Sequence, residues 1–311
     1  MRDKPEENSM EKDCDPCSSH NTESVLWTIT GRCNFRCRFC CVNTPDAAMD
    51  EITHEEAIRI IDRMAKCGVR SLKISGGEPF VREDFWSLVD YALEKGMKID
   101  KIYTNGWLLT DSVLDQFEQR GMKPEFCVGF DGVEKHDWMR GIKGAEQAAR
   151  NALIRCCLRG FPTSVEMNIH RGNTDVLRET VDTLADFSVR KIICHEVRNN
   201  DMWKRYAVGN EMSTKEYVEA VLQYIPEYYA DGMRVDVRFE GVVELYKGGK
   251  YKVIDGTDHG NTSWYIDSDG QIMQRIRNLD ECGCLMWKDG YLEKVRETCE
   301  GARKKSNRKI S

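Results

Sequence analysis

The stretch Gly31-Arg32-Cys33-Asn34-Phe35-Arg36-Cys37-Arg38-Phe39-Cys40 spaces three cysteines as C-x3-C-x2-C and follows an apolar, β-prone run at residues 25–30. Three thiolates on this cysteine loop, residues 31–40, can ligate three irons of a cubic iron–sulfur cluster. No fourth cysteine stands at ferredoxin spacing, so one iron would remain open as a reaction site. Zinc sites commonly combine two Cys-x2-Cys or Cys/His pairs, and no second pair lies close by. The spacing therefore favours a cluster over a zinc site or buried structural cysteines.

Length and composition indicate a globular protein without a membrane segment. The chain has 311 residues, of which 41% are hydrophobic, as in one large domain or one domain plus a small appendage. A net charge of −6 gives no support for nucleic-acid binding. No apolar run is long enough for a membrane span, and the polar residues 1–23 lack the apolar core of a signal peptide. We therefore expect a cytoplasmic protein whose 14 cysteines are metal ligands and core residues rather than disulfides.

From residue 25 onward, β-prone runs alternate with amphipathic helices, which predicts parallel strands joined by right-handed crossovers. Thr53-His54-Glu55-Glu56 has the form of a capping box and predicts the start of the first helix. Catalytic groups of barrel folds gather at the C-terminal ends of the strands, so the segments that follow the strands form the candidate site. The predicted strands cover residues 25–30, 71–75, 101–103, 126–130, 163–170 and 191–194.

Two segments that follow strands contain glycine motifs. Gly76-Gly77-Glu78-Pro79 follows the second strand, and Thr104-Asn105-Gly106 follows the third. Either motif alone is an ordinary turn. Together with the three cysteines of the cysteine loop and the aromatic Phe39 before the third cysteine, they resemble the radical S-adenosylmethionine (SAM) enzymes, which have GGEP and TNG motifs in the same order.

The resemblance implies an α/β fold with a partial (β/α)6 barrel over about residues 23–205. It implies a [4Fe–4S] cluster on Cys33, Cys37 and Cys40, whose open iron chelates the amino and carboxylate groups of SAM. In that family an electron from the cluster cleaves SAM to a 5′-deoxyadenosyl radical, which takes a hydrogen atom from the substrate. The residues that the resemblance assigns to SAM binding are Phe39, Gly76, Gly77, Glu78, Pro79, Thr104, Asn105, Asp131, Arg140 and Asn168.

The fourth strand ends in Gly129-Phe130-Asp131-Gly132, and His136-Asp137-Trp138-Met139-Arg140-Gly141 follows. This stretch is similar to the SLDG and HDxxRG motifs of the SPASM and Twitch subgroup, which includes many peptide-modifying enzymes. In that subgroup a serine and the arginine bind the SAM carboxylate. Arg140 matches the arginine by spacing, and a guanidinium fork suits a carboxylate. Gly129 stands where the serine is usual, so that side-chain contact is missing or is replaced by the backbone.

Polar side chains on the fifth and sixth strands are further candidates. Glu166, Asn168 and His170 alternate and share one face of the fifth strand. That face is either the barrel interior, where the three would contact SAM or substrate, or the outer face, where they would meet solvent. The sequence leaves both possibilities open. The candidate catalytic residues at or near strand ends are His195, Glu196 and Glu240.

The C-terminal residues 206–311 are expected to form a helix from Ser213, a small α+β extension similar to the SPASM/Twitch region, and a basic solvated tail. The extension would include a hairpin at residues 263–273. The family pattern places cysteines before the hairpin and five residues after its glycine, but residues 254–260 contain none and position 275 is arginine. An auxiliary cluster is therefore doubtful. Residues 1–22 are expected to be a flexible leader. The cysteines left for a second cluster are Cys14, Cys17, Cys282, Cys284 and Cys299.

The first functional hypothesis from the resemblance is a maturase that modifies a ribosomally synthesised peptide. The alternative is a dehydrogenase or epimerase of a small sugar or alcohol. Oxidation by two electrons requires an acceptor, so a single cluster favours a redox-neutral outcome. A flavodoxin or ferredoxin would supply the electron. A hypothesis of another class is a non-catalytic iron–sulfur electron carrier, which would need four protein ligands and no GGEP motif.

Overall fold

The computed structural model describes residues 23–40, 51–197, 200–254, 263–266, 268, 270, 272–275 and 291–310. Its centre is one eleven-stranded sheet with the order β11-β10-β1-β2-β3-β4-β5-β6-β7-β8-β9. The strands are β1 (Ser24–Thr28), β2 (Ser71–Ser75), β3 (Lys98–Thr104), β4 (Glu125–Gly129), β5 (Thr163–Ile169), β6 (Lys191–Glu196), β7 (Asp236–Phe239), β8 (Val243–Leu245), β9 (Tyr251–Val253), β10 (Ser263–Ile266) and β11 (Ile272–Arg275).

Helices connect the parallel strands. They are α1 (His54–Lys66), α2 (Phe85–Glu94), α3 (Asp111–Gln119), α4 (His136–Arg140), α5 (Ala145–Leu158), α6 (Leu177–Asp186), α7 (Asp201–Tyr206), α8 (Thr214–Ala230) and α9 (Tyr291–Ile310). Strands β1 to β6 are all parallel and neighbour one another in chain order. The predicted α/β partial barrel is therefore confirmed. None of the helices in the described part of the chain has the length and apolar character to cross a membrane.

Capping boxes form at the start of α1, as predicted, and at the start of α8, the helix expected from Ser213. Thr53 accepts a hydrogen bond from the backbone N–H of Glu56, and the Glu56 carboxylate accepts one from the N–H of Thr53. Ser213 and Glu216 repeat this exchange at the start of α8. Each box satisfies two backbone donors that a helix start leaves without partners. The boundaries of both helices are thus determined by local sequence.

The fifth strand shows which face of the sheet is the inner one. Val165, Met167 and Ile169 are buried in the core with the surrounding helices, whereas Glu166 and Asn168 are half-buried on the opposite face. Adjacent side chains of a strand point to opposite faces. Of the two possibilities that the sequence leaves open, the structure therefore has the polar residues of β5 on the inner, concave face.

The regular alternation extends one step further than the sequence indicates. After β6 the chain forms α7 and α8 and then β7, which pairs parallel with β6. Strands β8 and β9 complete this edge in antiparallel order. The predicted hairpin of β10 and β11 forms, and β10 adds to the other edge by pairing parallel with β1. The C-terminal strands thus widen the same sheet at both edges.

The basic run near the C-terminus lies in a helix rather than in an unstructured tail. Helix α9 packs against α8 and β9 and buries Val295, Cys299 and Ala302. The basic residues 303–305 are exposed on its surface. Apolar residues at positions 295, 299 and 302 have helical spacing, which gives α9 the buried stripe that a solvated tail would lack.

Candidate active site

The cysteine loop directly continues β1 and contains three free thiols. Cys33, Cys37 and Cys40 are all partly exposed. The N–H of Cys40 donates to the carbonyl of Cys37 at 3.2 Å, and the N–H of Arg38 donates to the carbonyl of Met139 at 2.9 Å. The first bond closes a turn that brings two of the cysteines together, and the second attaches the loop to the end of α4.

Nitrogen donors surround two of the three sulfurs. The sulfur of Cys33 lies 3.3 Å from the N–H of Phe35 and 3.9 Å from Nδ2 of Asn105. The sulfur of Cys37 lies 3.9 Å from Nη1 of Arg140. Burial raises the pKa of Cys33 to about 11 and that of Cys37 to about 12. Three reachable thiols with donors directed at their sulfurs are a suitable ligand set for an iron–sulfur cluster.

The GGEP loop packs backbone to backbone against the cysteine loop. The N–H of Gly77 donates to the carbonyl of Thr30 at 2.8 Å, and a Cβ built on Gly77 would lie 2.2 Å from the carbonyl oxygen of Arg32. A Cβ built on Gly76 would lie 2.8 Å from the carbonyl oxygen of Thr30. Only glycine permits this approach. The paired glycines, which the sequence suggested for contact with a ligand, thus allow two loops of the protein to meet.

Glu78 lies fully buried beneath these loops. Its carboxylate accepts hydrogen bonds from Oγ1 of Thr104 at 2.9 Å and from the N–H of Asn105 at 2.8 Å. Burial outweighs these bonds and raises the pKa of Glu78 to about 7. Pro79 follows as the buried first residue of a short 3-10 turn. The GGEP and TNG motifs, which are separated in sequence, are therefore joined through one carboxylate.

Asn105 connects this carboxylate to the cysteine loop. Its Nδ2 donates to Oδ1 of Asn34 at 2.7 Å and lies 3.9 Å from the Cys33 sulfur. Arg82, which follows the GGEP loop, donates from its buried guanidinium to the carbonyl of Ile29 at 2.6 Å, just before the cysteine loop. Sequence reasoning missed Asn34 and Arg82. An asparagine between cysteines and an arginine after a turn have no distinctive pattern, and only their contacts reveal their roles.

Arg140, at the end of α4, lies on the other side of the cysteine loop. Its Nε donates to Oδ2 of Asp131 at 2.6 Å, and its guanidinium carbon lies 5.0 Å from the ring centre of Phe39. A Cβ built on Gly129 would lie 2.2 Å from Nη2 of Arg140. The guanidinium therefore occupies the volume that the usual serine would need. In this chain, glycine at position 129 leaves room for this placement of the guanidinium.

Asp131 is fully buried and uses both carboxylate oxygens within the protein. Oδ2 accepts from Arg140, and Oδ1 accepts from the backbone N–H of Asn168 at 3.0 Å and from its Nδ2 at 3.2 Å. The Arg140 guanidinium holds the pKa of Asp131 well below its usual range. Asn173, which sequence reasoning did not identify, donates to the carbonyls of Asp131 and Asn168 at 2.8 Å. Asp131 thus positions two predicted SAM residues rather than facing a ligand itself.

The candidate catalytic residues fall into two groups. His195 and Glu240 share the inner face: Nδ1 of His195 lies 2.8 Å from the Glu240 carboxylate, and its Nε2 lies 3.9 Å from the carboxylate of Glu166. Glu196 is paired in register with the core residue Ile169, and its carboxylate accepts from Thr214 of α8 at 3.0 Å. The structure therefore brings His195 and Glu240 together at the concave face but places Glu196 on the helix-covered face, contrary to the prediction that it faces substrate.

An aromatic cluster borders the cysteine loop next to Phe39. Trp138, His170 and Trp203 have ring centres 5.4 to 6.3 Å apart. Asn200 donates to the carbonyl of Phe39 at 2.8 Å. The sequence predicts that His170 shares a face with Asn168, but His170 lies just beyond β5 and is buried among these rings, where burial lowers its pKa to about 4. It is therefore a neutral part of the wall beside the cysteine loop.

The cysteines left for a second cluster, which the sequence makes doubtful, do not form a site among the described residues. Cys299 is fully buried in α9. Cys14, Cys17, Cys282 and Cys284 lie outside the described residues. Among the residues that the structure describes, no three His, Cys, Asp or Glu side chains form a site for a single metal ion. A cubic cluster does not require one, since each thiolate ligates a different iron.

Comparison with known proteins identifies the family of this fold. Residues 27–184 match the sequence profile of the Radical SAM superfamily, which covers half of the chain. The chain is 31% identical to the Fe-coproporphyrin III synthase of Methanosarcina barkeri over 63% of this chain and 49% of the relative. It is also 31% identical to the PqqA peptide cyclase of Granulibacter bethesdensis, over 66% of this chain and 60% of the relative. The chain thus spans about half to three-fifths of the length of these relatives.

Solved structures with the same fold include a peptide-binding protein. The crystal structure of Streptococcus suis SuiB bound to the precursor peptide SuiA superposes with a TM-score of 0.62, over 87% of this chain and 65% of that chain. The sequence identity is 16%, so this likeness concerns the fold alone.

Proposed function

Because this chain belongs to the radical SAM superfamily, we propose that it is an enzyme that cleaves SAM reductively on a [4Fe–4S] cluster held by Cys33, Cys37 and Cys40. When bound, the cluster and SAM supply a 5′-deoxyadenosyl radical that abstracts a hydrogen atom from the substrate. The observation that carries this proposal is the arrangement of three free thiols between two buried anchoring groups, the Glu78 carboxylate and the Asp131–Arg140 pair.

The two anchoring groups suit the two ends of the amino-acid part of SAM. In this proposal, the Glu78 carboxylate and the backbone carbonyls of Gly76 and Gly77 hold the ammonium group of SAM. Arg140 offers a guanidinium to a carboxylate, and Asn168 is held beside it by Asp131. In this proposal Thr104, Asn105 and Pro79 shape the floor of the site, and Phe39 covers the guanidinium. Asp131 contributes by holding Arg140 and Asn168 in place.

The proposed substrate is a ribosomally synthesised peptide. Support comes from the PqqA peptide cyclase among the relatives and from the fold shared with SuiB. The inner face of the sheet carries the half-buried polar side chains of Glu166, Asn168 and His195, which suit hydrogen bonds to a peptide backbone. A small sugar or alcohol is the alternative substrate class, and the Fe-coproporphyrin III synthase adds a tetrapyrrole as a further one. We propose a cytoplasmic enzyme that receives its electron from a flavodoxin or ferredoxin and acts without nucleic-acid or membrane partners.

His195 is the proposed group that faces the substrate. Glu240 lies 2.8 Å from its Nδ1 and would hold the ring, and its Nε2 lies 3.9 Å from the carboxylate of Glu166. An imidazole oriented in this way can exchange a proton with a substrate. We expect His195→Ala to retain SAM cleavage and to lose modification of the substrate, which product analysis by mass spectrometry would show.

The proposed function is tested on protein that is purified without oxygen and reconstituted with iron and sulfide. We expect about four irons per chain and release of 5′-deoxyadenosine after addition of SAM and dithionite. Cys37→Ala should lose both, whereas Cys157→Ala, which removes an exposed thiol on α5, should keep both. Iron that can be reduced but does not cleave SAM would contradict the proposal and favour the electron carrier.

A further inference from the structure

The guanidinium of Arg140 is directed at a cluster-ligand thiol as well as at the proposed SAM site. Its Nη1 lies 3.9 Å from the sulfur of Cys37. The donors near the sulfur of Cys33 differ in kind, because the backbone N–H of Phe35 and the amide of Asn105 are neutral. The two sulfurs therefore have different electrostatic surroundings. Of these two sulfurs, only that of Cys37 has a guanidinium donor directed at the sulfur itself, since Arg36 donates to the backbone carbonyl of Cys33.

Several contacts hold the guanidinium in this position. Asp131 accepts from Nε at 2.6 Å, the Phe39 ring covers the group at 5.0 Å, and Gly129 leaves the space that Nη2 occupies. Arg140 is buried, and a buried charge is screened by water and salt much less than an exposed one. An arginine also keeps its charge at any working pH. Its effect on the sulfur is therefore permanent.

Reduction of an iron–sulfur cluster adds one negative charge, and hydrogen bonds to the sulfurs and the local charge set its potential. A positive charge near a thiolate stabilises the reduced state by Coulomb attraction. Asp131 opposes this effect, but its carboxylate lies on the Nε side of the guanidinium, whereas Nη1 faces the sulfur. The positive end of the pair thus points to the cluster position.

We propose that Arg140, held by Asp131 and admitted by Gly129, raises the reduction potential of the cluster through Cys37 before SAM binds. This inference rests on the proposed cluster at Cys33, Cys37 and Cys40. It assigns Arg140 a role in addition to binding a carboxylate. Gly129 becomes a positioning residue, because any side chain there would displace the guanidinium from the sulfur.

The test is a redox titration of the reconstituted cluster without SAM, followed by the electron paramagnetic resonance signal of the reduced form. Arg140→Gln should lower the ratio of reduced to oxidised cluster at a fixed potential about tenfold, or about 59 mV for one electron. Arg140→Lys should retain most of the wild-type potential. The control Arg59→Gln removes the same charge from an exposed position on α1 and should leave the potential unchanged.

Two further variants should shift the reduction potential in opposite directions, which a general loss of structure would not produce. Asp131→Asn removes the opposing negative charge and should raise the potential. Gly129→Ala should lower it, by less than Arg140→Gln, because the guanidinium is displaced but not removed. Iron content and the circular dichroism melting curve of each variant show whether the fold and the cluster are intact.

The outcomes separate this inference from the proposed function. If the wild-type chain binds no cluster at these cysteines, the proposed function fails. If clusters form and Arg140→Gln and Gly129→Ala titrate like the wild type, the function stands and the inference is overturned. Equal shifts in Arg59→Gln and Arg140→Gln would also overturn it, since the effect would then not depend on the contact with Cys37.

Discussion

Glu78 and Asp131 are both fully buried carboxylates beside the cysteine loop, but their surroundings differ. Glu78 accepts hydrogen bonds from neutral groups of Thr104 and Asn105, and its pKa is raised to about 7. Asp131 is paired with the Arg140 guanidinium, and its pKa is held well below the usual range. Equal burial thus produces opposite shifts.

The difference shows that partner charge, rather than burial or the number of hydrogen bonds, decides the state of each carboxylate. The Asp131 side has a permanent ion pair that exists without any ligand. The Glu78 side has an acid that is poised between its two states near neutral pH and gains from a cation. In the proposed function that cation is the ammonium group of SAM. The Asp131–Arg140 pair is complete before SAM binds, whereas Glu78 gains its cation only when SAM binds.

The largest expected effect is on the Asp131 side. Arg140→Ala removes the guanidinium that pairs with the buried Asp131 charge and leaves it with Asn168 and His136, so we expect a loss of about 3 kcal/mol in the free energy of unfolding. Chemical denaturation of the apoprotein measures it. The variant should still bind the cluster but should bind SAM more weakly in calorimetry. Unchanged SAM affinity would refute the proposal that Arg140 binds the SAM carboxylate. Unchanged stability would refute the conclusion that Asp131, unlike Glu78, depends on a charged partner.

The glycines of the two sides should respond differently to a methyl group. At Gly77 the obstructing atom is a backbone oxygen of the cysteine loop, and at Gly129 it is the end of the Arg140 side chain. Backbone yields less readily, so Gly77→Ala should cost about 2 kcal/mol and Gly129→Ala about 1 kcal/mol. Urea denaturation of both variants tests the order. A larger cost for Gly129→Ala would contradict it.

The pH dependence of SAM binding should come from the Glu78 side. Because the pKa of Glu78 is about 7, its carboxylate becomes protonated as the pH falls below 7. The dissociation constant for SAM should therefore increase, approaching about tenfold per pH unit. Titration calorimetry between pH 5.5 and 8.5, values spanning that pKa, measures it, with Glu78→Gln as the control that should bind weakly at every pH. A wild-type profile as flat as that of the control would contradict this expectation.

The stability of the apoprotein should show the opposite sign. A carboxyl with a folded pKa raised above 4.5 contributes stability that is fully present below its unfolded pKa and is lost as the pH rises through about 7. Glu78→Gln should therefore gain stability over the wild type at pH 8 relative to pH 5. Denaturation curves at the two pH values show whether the difference has this sign.

The smallest expected effect concerns Thr104. Its hydroxyl donates to the Glu78 carboxylate and favours the ionised form. Thr104→Val keeps the shape and removes the donor, so we expect a loss of about 1 kcal/mol when Glu78 is ionised. The midpoint of the SAM-binding profile should then move to higher pH. A midpoint that stays in place would show that this bond does not stabilise the carboxylate.

Sequence reasoning predicted the parts of the fold whose signals are local. The capping box at Thr53, the cysteine spacing and the order of the first six strands follow from neighbouring residues. The parity of β5 did not follow, since a period of two fixes which residues share a face but not which face is inside. The basic run at 303–309 was interpreted as a tail because its partner, α8, is about 80 residues away in the chain.

The site shows the same division. Cys33, Cys37, Cys40, Glu78 and Arg140 are identified by motif, because their spacing is specific. The role of Gly129 is not identified by the motif. A missing serine does not indicate that an arginine eleven residues later occupies the space of its side chain. Glu196 illustrates the converse: its position at a strand end made it a candidate, and its pairing with Thr214 removed it from the concave face.

By itself the sequence determined the spacing of the three cysteines, the strand–helix alternation and the family, since each depends on residue types at short separations. Only the tertiary structure decided how the loops around the cysteines meet. It decided that Gly77 packs on Arg32, that Asp131 joins Arg140 to Asn168, and that a guanidinium faces one sulfur of the loop. These contacts join residues up to about 100 positions apart. The distances between their charged groups, and the space between the loops, are set only when the chain folds.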